Sequence, residues 1–170
     1  MTLHTASPDS DPAASAAAFV AGLQEERAAL ATFIGSLQAE QESLVQGDAE
    51  RLADFAADNA THIDLLTLLG ERRSRHLAAQ NLTGSAEGMM TWMKRNPGFA
   101  AAVNKIWREL LAQAETAQQI NQNNGILVES RLQQNRLQLA VLQTAAASDG
   151  VYRADGQLRP LRSARSISQV

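Results

Sequence analysis

The stretch INQNNGILVES, residues 120–130, sets Asn121, Gln122, Asn123, Asn124 and Gly125 directly ahead of Ile126, Leu127 and Val128. Apolar residues recur at helical spacing for about twenty residues on either side, so the flanks read as helix and not as strands joined by a turn. Asparagine and glycine are poor helix formers, and a glycine inside a helix costs about 1 kcal/mol. Two folds follow from one question. Either the helix runs straight through, or it breaks at Asn124-Gly125, the candidate hinge, and folds back.

Upstream, Pro97 opens a helix carried by Val103, Ile106, Leu110, Ala117, Ile120 and Leu127. Beyond it the phase slips by one residue, and Val128, Leu132, Asn135, Leu139 and Leu142 line up instead. A helix over 97–147 would be roughly 75 Å long, and the one expected over 48–79 only about 48 Å. Laid antiparallel, the longer helix overhangs by about 18 residues. Monomeric proteins seldom leave such an apolar stripe bare. The residues Ile126, Val128, Leu132, Leu139 and Leu142 are therefore either folded back into their own bundle or kept as a groove for a partner's amphipathic helix.

The remaining chain supplies the bundle. Asp11-Pro12 is a cap followed by a proline suited to the first helical position. Leu23, Leu30, Leu37 and Leu44 then recur every seven residues, with Val20, Arg27, Ile34 and Gln41 in the complementary position and Phe19, Glu26, Phe33 and Glu40 flanking the seam. This is coiled-coil spacing over 12–46, half polar on one side. Gly47-Asp48 ends that helix, with Asp48 able to cap the next over 48–79, which carries Leu52, Phe55, Leu66, Leu69 and Leu77. Residues 81–88 read as a loop and 89–95 as a short helix or the beginning of a longer one. Asn96-Pro97 repeats the cap-and-proline device. SDG (148–150) closes the last helix. A disordered lead over 1–11 and a flexible basic tail over 148–170 flank the helical domain, 12–147.

Composition agrees. The chain has 170 residues, 45% hydrophobic but only 4% aromatic, with four prolines and ten glycines. Burial falls to alanine and leucine, and long helices are uninterrupted. The expected fold is all-α: an elongated antiparallel bundle, or segmented coiled coil, of three long helices and a short one. A net charge of −3 offers no bulk case for nucleic-acid binding, and the absence of cysteine excludes disulfides, thiolate metal sites and cysteine nucleophiles. No apolar run approaches the ~18 residues of a membrane span, so no membrane insertion is expected. The N-terminus lacks the charged and apolar regions of a secretory signal, which points to the cytoplasm.

Candidate chemistry is sparse. His62 and His76 stand 14 residues apart on one helix, about 21 Å, too far to share an ion. The charged cluster Glu71, Arg72, Arg73, Arg75 reads as a solvated face with an i,i+4 pair between Glu71 and Arg75. Trp92 and Trp107 with Met89, Met90 and Met93 read as a small core under the short helix, or as an adaptable binding surface. Tyr152, the single tyrosine, is either incidental or an anchor entering a partner's pocket, steered by Arg153 and Arg159. Neither a catalytic motif nor a cofactor site emerges, and no enzyme is expected.

The stretch INQNNGILVESRLQQNRLQLAVL (120–142), followed by YRADGQ (152–157) and a basic, serine-bearing end, resembles the C-terminal half of the FlgN family of flagellar type III export chaperones. Asn121, Gln122, Asn124-Gly125, Leu127, Glu129, Asn135 and Leu139 carry the likeness, with Tyr152 and Ala154-Asp155-Gly156-Gln157 behind them. The N-terminal half resembles the family in length, heptads and turn placement, and Arg153 stands where glycine is frequent. The resemblance implies a cytoplasmic chaperone, without enzymatic activity or cofactor. It would hold the C-terminal helices of hook-associated proteins, which form the hook–filament junction, prevent their premature assembly and deliver them to the export gate. It places substrate binding on Val128, Leu132, Asn135, Leu139 and Leu142, continuous with Ile126, and export-gate docking on Tyr152. The export ATPase complex is a further implied partner, and a monomer or weak homodimer the expected state. The competing readings are a coiled-coil scaffold that only self-associates, a four-helix-bundle enzyme or ligand sensor, and a regulatory binding protein.

Overall fold

The computed structural model describes residues 12–48 and 50–149. Four helices make it up: α1 (Pro12–Gln46), α2 (Leu52–Ala78), α3 (Ala86–Arg95) and α4 (Pro97–Asp149), with no strand among the described residues. The fold is all-α as the composition requires. The chain divides between Leu127 and Val128 into two compact units, inside the stretch expected as one helical domain. The expectations for residues 1–11, for Tyr152 and for the tail from residue 150 on fall outside the described residues.

Helix ends follow local chemistry and correct three expectations. Gly47 takes a left-handed conformation, φ 78°, open to glycine at little cost. The amides of Gly47 and Asp48 both donate to the Ser43 carbonyl, at 2.9 and 3.0 Å. The backbone of Asp48 thus closes α1, and its side chain does not cap α2. That helix starts later, at Leu52, with Arg51 as its N-cap and no side-chain cap bond. At the other end Asn81 is left-handed, φ 58°, and the Asn81 and Leu82 amides return to the carbonyls of Ala78 and Leu77. This is a Schellman closure with asparagine in the glycine position.

The short helix begins three residues earlier than expected, inside the presumed loop, because Ser85 caps it. Its hydroxyl accepts from the Gly88 amide at 3.4 Å. The chain before it folds so tightly over this turn that a β-carbon on Gly88 would lie 1.8 Å from the Thr83 carbonyl oxygen. Asn96 also caps backwards. Its Nδ2 donates to the Trp92 carbonyl at 2.9 Å, ending α3, while its carbonyl accepts from Phe99 in the first turn of α4.

Within the first unit, α1 and α2 run antiparallel along a heptad ladder. Phe19 stacks on His76 with ring centroids 4.2 Å apart, Glu26 takes a two-point contact from Arg73 at 3.0 and 3.2 Å, Phe33 meets His62 at 6.0 Å, and Glu40 accepts from Asn59 at 3.1 Å. The polar residues beside the leucine seam are thus matched in kind by α2. On the other side α4 runs parallel to α1: Arg27 pairs with Glu109, and Asn124 reaches Leu37. Leu23, Leu30 and Leu37 join Leu77, Met89, Trp92, Val103, Ile106, Leu110 and Ala117 in one core. Burying each such side chain contributes roughly 1.5–3 kcal/mol.

Candidate docking surface

On α4 the bundle seam repeats every three or four residues through Val103, Ile106, Leu110, Gln113, Ala117, Ile120, Asn124 and Leu127, all buried or half-buried. Carrying that phase forward lands on Arg131, Gln134 and Gln138. A seam of arginine and glutamine has little apolar surface to offer α1.

Asn124 is the last fully buried side chain among the described residues of α4, at 3% exposure. Its Nδ2 donates to the Leu37 carbonyl at 2.9 Å and to the Glu40 carboxylate at 3.0 Å, the same oxygen that takes Asn59, while Ser36 donates to Asn59. A polar network thus joins α1, α2 and α4. The Asn124 Oδ1 is buried without a partner, as is Gln113 Oε1. α4 runs unbroken through Asn124 and Gly125. Of this polar stretch Asn121, Gln122 and Asn123 are exposed, and Asn124 is buried.

In the second unit the stripe is open. Val128 and Leu132 are each 48% exposed, Leu139 58% and Leu142 64%. Asn135 is exposed among them. These five keep one 3–4 spacing and share a helix face. Ile126 is also exposed, but two residues before Val128 it lies outside that spacing. Sequence reading passed over Leu137 and Val141, which are equally exposed. Neither is in step with the stripe, so no periodic signal marked them.

The other candidate groups serve packing. His76 lies between the Phe19 ring and Trp92, whose indole Nε1 donates to His76 Nε2 at 3.3 Å. Burial holds the imidazole below its ordinary pKa, and as a neutral acceptor it suits that bond. Arg73 lies over the Trp107 ring at 4.9 Å while gripping Glu26, tying three helices. Arg72 reaches Glu25 across to α1, and Arg75 donates to the Glu71 carbonyl instead of its carboxylate. Met89 and Trp92 are fully buried, so of this group only Met90 stays exposed. A cleft of about 170 Å³ opens between α1 and α2 above Phe19, Leu23 and Leu69, bordered by these paired arginines. No group of three potential metal ligands, and no helix long and apolar enough to cross a membrane, occurs among the described residues.

Fold and surface together define a helical protein that packs one length of its longest helix and leaves an apolar face of the rest uncovered. The FlgN protein family model matches residues 15–160, and the chain belongs to the FlgN family, a family of flagellar export chaperones. No curated protein and no solved structure matches the chain.

Proposed function

We propose that this chain is a cytoplasmic chaperone of flagellar type III export that binds the C-terminal helices of hook-associated proteins, keeps them from assembling early and delivers them to the export gate. One observation carries the reading: the exposed row Val128, Leu132, Leu139 and Leu142. A helix destined for a filament junction is apolar on one face and needs cover until it gets there. Laid on this row it would bury about 500–700 Å² of apolar surface, on the order of ten kcal/mol before the cost of ordering. Micromolar-to-nanomolar binding follows, firm enough to hold and weak enough to release without chemistry.

Sedimentation of the chain alone and with a hook-associated protein tests this. A 1:1 complex is expected, lost on truncation of the substrate's last helix. A stable homodimer that ignores such proteins would instead establish the scaffold reading. Tyr152, assigned to export-gate docking by resemblance, is tested separately. Tyr152→Ala should leave substrate binding intact and reduce motility, and unchanged motility removes that role.

A further inference from the structure

In the second unit α4 carries another apolar row, on the side opposite the stripe. Leu137 and Val141 are 62% and 68% exposed. Thr144 follows three residues on, also exposed, and its hydroxyl donates back to the Ala140 carbonyl at 2.9 Å, so that donor is met within the helix. At about 100° per residue, Leu137, Val141 and Thr144 lie roughly 180° from the row of Val128, Leu132, Leu139 and Leu142. Exposed polar side chains keep the two rows apart, Glu129, Arg136 and Gln143 on one flank and Gln134 and Gln138 on the other. A helix apolar on two opposite sides suits the middle of a layer of helices, since one neighbour covers only one side.

A second copy of this chain does not cover both rows. A pair formed through one row leaves the other bare on each copy, and further copies added row to row make an open stack instead of a closed assembly. A single amphipathic helix on the stripe leaves Leu137 and Val141 in water. Its apolar burial of about 500–700 Å² corresponds to roughly 900–1,200 Å² in all, at or below the lower limit for a stable specific complex. We propose that the occupant is a pair of amphipathic helices from one partner molecule, one on each row, with this part of α4 as the middle helix. The second helix adds about half as much area again and brings the contact into the standard range. Joined to the first, it docks at the high effective concentration of a tethered segment. The rows set the lengths: about 21 Å or four turns from Val128 to Leu142, and about 10 Å or two turns from Leu137 to Thr144. The inference rests on the reading that the stripe holds a substrate helix, and adds that the same substrate supplies a second one to the opposite side.

A full-length hook-associated protein is titrated with three forms of the full chain: unaltered, Leu137→Gln with Val141→Gln, and Leu139→Gln with Leu142→Gln. Both altered forms should bind about tenfold or more weakly, with helicity unchanged by circular dichroism. A photo-crosslinking residue placed at Leu139 or at Val141 should capture two different helical segments of one substrate molecule in a 1:1 complex. Affinity untouched by the changes at Leu137 and Val141, capture of the same segment from both positions, or two substrate molecules per chain overturns the inference. Each of those outcomes leaves the proposed function standing, because the substrate is still held. An unaltered chain that binds no hook-associated protein removes both.

Discussion

The two lengths of α4 are made of similar residues and do opposite things. From Val103 to Leu127 the helix repeats apolar groups in step with α1 and buries them. From Val128 to Leu142 it repeats them as regularly, one position out of step, and leaves them exposed. Leucine content does not separate the two. What separates them is phase, together with what stands in the seam once the phase changes. A helix buries an apolar stripe only where a neighbour presents one in the same register.

The sharpest way to break this comparison is one substitution made twice. Leu110→Asp places a carboxylate among Val103, Ile106 and Ala117 and should cost more than about 5 kcal/mol, from lost packing and an unpaired buried charge, so the chain should fail to fold. Leu139→Asp should change stability by less than about 0.5 kcal/mol while abolishing capture of the substrate. Circular dichroism and urea melts beside a binding assay read both. A collapse of helicity in Leu139→Asp would make the two lengths alike.

Next in size, Trp92→Ala should cost about 3–5 kcal/mol in a urea melt, since the indole is fully buried and anchors α3. Asn124→Ala, at the border of the two lengths, should cost about 1–2 kcal/mol through its lost hydrogen bonds. Substrate affinity should then stay within about threefold if the stripe acts independently of the seam.

The smallest effect concerns pH. His76 in the folded chain binds its proton less readily than in the unfolded chain. Between its lowered pKa and the ordinary value of about 6.5, the unfolded state therefore holds more protons. Stability should be level above about pH 6.5 and decline as pH falls through that window. Urea midpoints from pH 7.5 to 5.5 would show it, and His76→Phe should flatten the decline. Binding by the stripe, which carries no histidine, should not follow the same curve.

Periodicity made most of the bundle legible. Leu23, Leu30, Leu37 and Leu44 are all buried, and the limits of α1 stand where proline and glycine put them. The polar residues flanking that seam, Glu26 and Glu40, take their meaning from Arg73 and Asn59, which stand on another helix and which only folding brings opposite. The cap errors share a cause: Asp48 and Asn96 are good capping residues on either side of a boundary, and the direction in which each bonds is settled by the neighbouring backbone. On the stripe, spacing sufficed to set five exposed residues on one helix face. The burial of Asn124 was not readable, because nothing local says that an asparagine will find a carbonyl on α1.

That asparagine also sets the order in which the bundle can come apart. Within the first unit its link from α4 to α1 leaves an acceptor oxygen unmet, so separating there forfeits less than separating at the leucines behind it. Peeling should start at this link and travel toward α3, like a zip drawn from its loose end. Deuterium uptake should reach the amides near Asn124 first and those around Val103 last.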